Sequence, residues 1–153
     1  MNYHQSIMKM IEILIKKFIE QDQSGIKISE KLQPFSFSEL MILVELSRTE
    51  CMTTQELLKS LQVDRGIMST LINRLMAQKL LEKSRGGKDK RKSYVMLTEL
   101  GRQYFDQVNV SENEAFQFVM NDLSINEQQA ILKFLSRINQ LTVGKYEDFE
   151  INI

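Results

Sequence analysis

Apolar residues recur at intervals of three and four along most of the chain, which predicts a largely helical fold. A first helix is predicted over residues 4–22, and its apolar side is formed by Ile7, Ile11, Leu14 and Phe18. Gly25 ends this helix, and Pro34 precedes the next start. The six glycines and the single proline of the chain leave room for long helices joined by few loops.

Further helix starts are marked by a serine or threonine followed three residues later by glutamate. This capping-box spacing occurs at Ser36 with Glu39, at Thr53 with Glu56, and at Ser124 with Glu127. It predicts helices from residue 37 to about 48, from 53 to 61, and from 124 to 144. Thr98 is predicted to cap another helix, which continues through residue 120.

One further helix, from Asp64 to about residue 78, follows the short helix of residues 53–61 after a tight connection. The carboxylate of Asp64 suits an N-cap. The residues predicted to face inward are Ile67, Met68, Leu71, Ile72 and Leu75. The opposite, polar side is predicted to hold Arg65, Ser69, Thr70 and Asn73.

After this helix, the helical spacing of apolar residues changes to a pattern that is typical of β-strands. Residues 80–84 and 93–97 are short strand-like runs, and the segment between them contains Gly86, Gly87 and a cluster of charges. A β-hairpin with a long basic tip is therefore predicted. The fold class is mostly α with this small hairpin (α+β).

Charge is distributed unevenly along a chain whose net charge is zero. The length of 153 residues corresponds to one domain, and 42% apolar residues are enough for a sizeable core. Residues 59–102 hold eleven Lys or Arg against four Asp or Glu, a net of +7, and the remainder has a net of −7. Because the basic excess coincides with two tandem helices and a hairpin, duplex DNA is the expected partner. An ordinary solvated surface is the alternative.

The chemistry of an enzyme is not visible in the sequence. The chain has no phosphate-binding glycine loop and no nucleophile with a histidine partner, so we expect a non-enzyme without cofactors. The single histidine, His4, and the single cysteine, Cys51, cannot complete a tetrahedral metal site, and Cys51 is expected to be a small buried residue. No apolar run approaches the length of a membrane helix or a signal peptide, so a cytoplasmic location without membrane contact is expected.

Several short motifs appear in a fixed order between residues 53 and 105. They are Thr53-Thr54-Gln55-Glu56-Leu57-Leu58, Met68-Ser69-Thr70-Leu71-Ile72-Asn73-Arg74-Leu75, Asp89-Lys90-Arg91 and Leu97-Thr98-Glu99-Leu100-Gly101-Arg102. In this order they resemble the DNA-binding core of the MarR (multiple antibiotic resistance regulator) family. The Sar-type winged-helix relatives of staphylococci share the layout, and the sequence does not separate the two groups.

The resemblance implies a winged helix-turn-helix with N- and C-terminal dimerisation helices, in which the hairpin is the wing. Residues 1–48 would support the dimer and the core, 49–105 would form the DNA-binding lobe, 106–146 would complete the dimer, and 147–153 would be a flexible acidic tail. The function implied is a sequence-specific regulator of transcription, expected to be a repressor. It would bind a pseudo-palindromic operator as a homodimer and respond to a small-molecule effector of unknown identity.

The resemblance also implies which residues meet DNA. On the recognition helix these are Arg65, Gly66, Ser69, Thr70, Asn73 and Arg74. On the wing they are Arg85, Lys88, Asp89, Lys90, Arg91 and Lys92. Asp89 would orient Arg91 for the minor groove, and Arg74 is expected to bind phosphate or to brace the wing.

This sequence departs from the family pattern at two positions of the recognition helix. Gly66 stands where a small polar residue or proline is usual, and Thr70 stands where a longer basic side chain is common. Fewer direct base contacts are then expected, and specificity would depend more on the wing and on DNA shape.

Two alternatives to a DNA-binding regulator remain at this stage. One is a winged-helix module that binds another protein, for which loss of the basic wing would be the sign. The other is an accessory domain of a nucleic-acid-processing enzyme, which would need a fused catalytic domain. Sensing of peroxide by Cys51 or of zinc by His4 is not expected, because related sensors carry the cysteine in the first helix or use several histidines.

Overall fold

The computed structural model describes residues 2–86 and 91–140 of the chain. Three residues predicted for the wing, Lys88, Asp89 and Lys90, lie outside the described residues. So do the predicted end of the last helix, after residue 140, and the predicted acidic tail. Within the described ranges the elements follow in the order α1 (Tyr3–Ser24), α2 (Phe37–Ser47), β1 (Met52–Thr53), α3 (Thr54–Leu61), α4 (Arg65–Ala77), β2 (Leu81–Arg85), β3 (Ser93–Leu97), α5 (Glu99–Asn121) and α6 (Ile125–Gln140). The fold is mostly helical with a small antiparallel sheet, as predicted.

The predicted capping boxes are present at the starts of α2, α3 and α6. At α2 the Ser36 hydroxyl accepts from the Glu39 amide at 3.2 Å, and Glu39 Oε2 accepts from the Ser36 amide at 2.8 Å. The same reciprocal bonds join Thr53 to Glu56 and Ser124 to Glu127. Each box satisfies amides that have no partner within the helix, and so fixes where the helix begins.

The sheet has three strands in the order β1-β3-β2, and all pairs are antiparallel. β2 and β3 form the predicted hairpin, with Leu81 opposite Leu97 and Arg85 opposite Ser93. β1 was not predicted, because two residues are too few to show a period of two. Its Met52 pairs with Val95, which anchors the start of α3 beside the hairpin.

The core lies between α2, α3, α4 and the sheet. Its buried members are Phe35, Ile42, Leu43, Leu46, Leu57, Met68, Leu71, Ile72, Leu75, Leu80, Leu81, Val95 and Leu97. These side chains come from every element of the helix-turn-helix and the hairpin. Burial of this apolar surface is what holds α4 at a fixed angle to the sheet.

The junction of hairpin and α5 explains the Leu-Thr-x-x-Gly motif. The Thr98 amide donates to the Leu80 carbonyl at 3.0 Å, and the Thr98 hydroxyl donates to the Lys79 carbonyl at 2.6 Å. At Gly101 a Cβ atom would lie 2.2 Å from the Leu80 oxygen, so only glycine allows the helix to pass this close. Thr98 and Gly101 together attach α5 to the start of the hairpin.

The chain divides into two compact units, residues 1–109 and residues 110–153. The second unit contains α6 and its connection from α5. There the Gln128 amide group donates to the Met120 carbonyl at 3.3 Å and to the Leu123 carbonyl at 3.0 Å. These bonds satisfy carbonyls at the end of α5 and close the turn.

Candidate nucleic-acid interface

The connection between α3 and α4 sets the position of the second helix of the pair. Gln62 adopts a left-handed conformation (φ 53°), and its amide donates to the Leu58 carbonyl at 3.0 Å, which ends α3. Asp64 then caps α4, because its side chain accepts from the Gly66 amide at 2.8 Å. The turn is therefore only three residues long and holds the two helices in the arrangement of a helix-turn-helix.

α4 buries one side and exposes the other. Its buried residues are Met68, Leu71, Ile72 and Leu75. The exposed side carries all six residues predicted from the sequence for the recognition helix, namely Arg65, Gly66, Ser69, Thr70, Asn73 and Arg74. The major groove of B-DNA is wide enough to admit an α-helix, so the exposed side of α4 could meet base edges there.

Ile67 does not lie where the sequence pattern predicted it. The pattern placed it in the core, but its side chain is 55% exposed, while Met68 beside it is fully buried. The prediction for Ile67 was wrong because the buried side of α4 is centred on Met68, Leu71, Ile72 and Leu75, and at about 100° per residue Ile67 lies at the edge of that side. The buried side runs through Met68 and Leu71, and Ile67 is displaced to the exposed side.

A cleft of about 610 Å³ lies beside the exposed side of α4. It is bounded by the start of α3, by α4 and by Lys83 and residues 91–93 of the hairpin. Five of its lining residues are cationic: Lys59, Arg65, Lys83, Arg91 and Lys92. Lys59 and Lys83 were counted in the basic segment but not predicted as part of a site. The cleft therefore brings cations from four separate stretches of chain to one surface.

Among the described residues that line the cleft, Glu56 is the one carboxylate, and it takes part in the capping box of α3. The backbone hydrogen bond from Thr53 is the largest cause of its lowered pKa, followed by the bond from the Thr53 hydroxyl, and the charge of Lys92 also contributes. Glu56 therefore stays ionised and keeps capping α3 to lower pH than an ordinary glutamate would. Among the described lining residues, five cations thus face one carboxylate.

Arg74 is joined to α2 rather than to the hairpin. Its Nε lies 3.3 Å from Oε1 of Glu39, whose side chain is fully buried, while about half of the Arg74 side chain remains exposed. The other oxygen of Glu39 accepts from the Ser36 amide and hydroxyl, whereas Oε1 has no hydrogen bond of good geometry. The ion pair with Arg74 thus compensates Oε1 and braces α4 against α2, while the predicted binding of phosphate or bracing of the wing by Arg74 stays a prediction.

Removal of this ion pair is expected to destabilise the fold. Arg74→Met should lower the free energy of unfolding by about 2–3 kcal/mol, because a buried carboxylate oxygen loses its compensating charge. The control is Arg48→Met, since Arg48 is 70% exposed and lies 3.7 Å from Glu45, so its loss should be below about 1 kcal/mol. Urea unfolding at one protein concentration measures both. Equal losses would contradict a structural role for Arg74.

The hairpin supplies the remaining predicted residues that can be placed. Arg85 ends β2, opposite Ser93, and Arg91 and Lys92 come just before β3. All three are exposed, and Arg91 and Lys92 line the cleft. The predicted orientation of Arg91 by Asp89 stays a prediction, because Asp89 lies outside the described residues.

Other candidate chemistry is not supported by the described residues. Cys51 is exposed, so its predicted burial was wrong; it lies in the turn between α2 and β1 and makes no part of the core. Among the described residues there is no cluster of three or more His, Cys, Asp or Glu that could hold a metal ion. In the same part of the chain no helix has both the length and the apolar character needed to cross a membrane.

Comparison with known proteins supports the assignment of the lobe. Residues 35–93 match the MarR family, whose members are DNA-binding transcriptional regulators. No curated protein sequence matches the chain. The match covers α2 to the start of β3, which includes the helix-turn-helix and most of the hairpin.

Solved structures of low sequence identity share the fold over nearly the whole chain. FabT of Streptococcus pneumoniae in complex with DNA is 19% identical, with 91% of this chain and 96% of that chain covered and a TM-score of 0.75. A mutant of MarR from E. coli complexed with operator DNA is 20% identical, with 90% and 96% covered and a TM-score of 0.65. BpsR of Bordetella bronchiseptica, studied for regulation of its DNA binding by 6-hydroxynicotinic acid, is 22% identical, with 88% and 93% covered and a TM-score of 0.64. The predicted winged helix-turn-helix and the resemblance to the MarR family are confirmed.

Proposed function

We propose that this chain, whose residues 35–93 form a MarR-family domain, regulates transcription by binding duplex DNA sequence-specifically as a homodimer. One observation carries the proposal: the exposed, polar side of α4 lies next to a cleft that is lined by five cations. Such a surface offers base-reading side chains and phosphate-binding charges next to one another, as a duplex requires.

The two parts of this surface have different roles. α4 enters the major groove, where Arg65 can donate to guanine O6 and N7, and Ser69 and Asn73 can meet neighbouring base edges. The cations of the cleft bind the phosphates beside that groove, and the hairpin reaches toward the adjacent minor groove. α4 then makes the direct base contacts, the hairpin and the shape of the DNA add to specificity, and affinity depends mainly on the cleft.

The homodimer is supported by apolar surface that the single chain leaves exposed. Within α1, which is described in full, no residue is buried. Its exposed large apolar side chains are Tyr3, Ile7, Met8, Met10, Ile13, Leu14, Ile15, Phe18 and Ile19. α6 exposes a second set: Ile125, Ile131, Leu132, Phe134, Leu135 and Ile138. Apolar surface of this extent is typical of an interface, and a second copy of the same terminal helices is the partner we propose.

Repression and release by a small effector complete the proposal. A dimer bound across an operator blocks access to the DNA beneath it, which favours repression as the regulatory outcome. BpsR, whose DNA binding is regulated by 6-hydroxynicotinic acid, gives the precedent for an effector that changes DNA affinity. We propose an effector of this kind for the present chain, without assigning its identity.

The proposed function is tested by selection of bound duplexes from a random library with the purified full chain. We expect the recovered duplexes to share one sequence with dyad symmetry, whose half-sites are centred about one helical turn, or a multiple of it, apart. Recovery of unrelated sequences would contradict sequence-specific binding. Recovery of a single unpaired half-site would contradict the homodimer.

A further inference from the structure

The exposed side of α4 carries an apolar group that the DNA contacts described above do not use. Ile67 is 55% exposed on a helix side whose other members are polar residues and Gly66. A single exposed isoleucine is common on protein surfaces and has no meaning by itself. Its position gives it a meaning here, because it lies one turn from Thr70 on the exposed part of α4 that we propose faces the duplex.

Thr70 adds a second apolar group at the same place. Its hydroxyl donates to the Gly66 carbonyl at 3.1 Å, four residues earlier in the helix. With its proton used inside the helix, the hydroxyl cannot donate to a base, and the γ-methyl group is the apolar part that can meet a partner. Residues three apart are neighbours on a helix surface, so the Ile67 side chain and the Thr70 methyl group form one apolar patch.

The major groove offers one natural counterpart to such a patch. Among the four bases only thymine presents an apolar group there, the methyl group at C5. We propose that Ile67 and the γ-methyl of Thr70 read the 5-methyl group of a thymine in each half-site. The proposal rests on the proposed function, and it assigns base selection to a residue that the sequence pattern placed in the core.

The surrounding charge favours DNA over another protein as the occupant of this patch. Ile67 and Thr70 both lie within the basic segment of residues 59–102, which has a net charge of +7. A second copy of this chain would bring its own basic segment to the same place, which like charges oppose. A duplex instead brings phosphates to the cations and a methyl group to the patch.

The test replaces thymine by deoxyuridine, one position at a time, in the duplex selected with this protein. This change removes only the methyl group. We expect one position in each half-site at which the wild type binds deoxyuridine about three- to tenfold more weakly than thymine. Ile67→Ala should bind the thymine duplex more weakly by a similar factor and should lose the preference at that position alone.

Two substitutions at position 70 separate the methyl from the hydroxyl group. Thr70→Ser keeps the hydroxyl and its bond to Gly66 but should reduce the preference for thymine. Thr70→Val keeps a methyl group and should retain it. Met41→Ala, at an exposed apolar residue of α2, is the matched control and should leave the preference unchanged. Because Ile67 and Thr70 are exposed, thermal unfolding should show the variants folded.

The outcomes separate three claims: that the thymine methyl group is read, that Ile67 reads it, and that the protein binds DNA sequence-specifically. If the wild type binds every deoxyuridine duplex as tightly as the thymine duplex, the reading of the methyl group is overturned while the proposed function stands. If Ile67→Ala keeps the full thymine preference, the assignment to Ile67 is overturned. If the protein shows no preference among sequences at all, the proposed function fails and this inference fails with it.

Discussion

Raising the salt concentration from 50 to 200 mM is expected to weaken duplex binding by roughly 10³-fold or more. Five cations line the cleft beside α4 in each subunit, so a dimer would bring about ten of them to the phosphates. Each phosphate that is neutralised releases a condensed counterion, and that release is opposed by added salt. Fluorescence anisotropy titrations at five salt concentrations would give the slope of log affinity against log salt.

A single cleft residue should change this slope by a recognisable amount. Lys83→Gln removes one cation of the cleft and should reduce the slope by about 1 while weakening binding to all sequences alike. Lys133→Gln removes an exposed cation that is not among the residues lining the cleft, and it should leave the slope unchanged. A nearly flat salt dependence of the wild type would mean that the basic segment is only a solvated surface.

Placing carboxylates on the apolar side of α1 is expected to separate the proposed dimer into monomers. Ile7 and Leu14 are about half exposed in the single chain and share one side of the helix. Ile7→Glu together with Leu14→Glu would bury two charges in an apolar interface, which should raise the dimer Kd by on the order of 10²- to 10³-fold. Sedimentation equilibrium at micromolar concentration would detect the change in mass.

A control with the same number of added carboxylates distinguishes interface from charge. Gln5→Glu together with Lys9→Glu places them on the opposite side of α1, where both residues are exposed and polar. This variant should remain dimeric. A wild-type chain that sediments as a monomer, or an Ile7 and Leu14 variant that stays dimeric, would contradict the use of α1 in the interface.

Local sequence signals predicted the helix starts because capping chemistry acts over three residues. The three capping boxes at Ser36, Thr53 and Ser124 all form in the structure, and Asp64 caps α4 as expected. The end of α3 has no such signal. Gln62 takes the left-handed conformation there, where glycine or asparagine would be usual, so the connection could be predicted only from its length.

The errors concern burial, which depends on the whole fold. Ile67 and Met68 are adjacent and both apolar, and only the packing of α4 on the sheet decides that Met68 is buried and Ile67 is not. Cys51 is exposed because it lies in a turn that precedes the two-residue strand β1. A period cannot be read from so short a strand.

The polar side of α4 could be predicted from periodicity, but the cleft beside it could not. Lys59 and Lys83 come from α3 and β2, and nothing local indicates that they lie near Arg65. The sequence signal that could have indicated a role for Lys59 and Lys83 is the net charge of +7 over residues 59–102, which includes both. The pairing of Arg74 with the buried Glu39 is a contact between residues 35 positions apart, and it too depends on tertiary structure.

The central claim, that this chain recognises a DNA sequence, is tested most directly by one ratio of affinities. The affinity for the selected duplex is divided by that for a scrambled duplex of equal length and composition, at one fixed salt concentration near the physiological value. We expect the selected duplex to bind about 10³-fold more tightly or better, because base contacts add to the phosphate contacts that both duplexes share. A ratio near one would contradict the claim, since it would leave only the attraction between a basic surface and any polyanion.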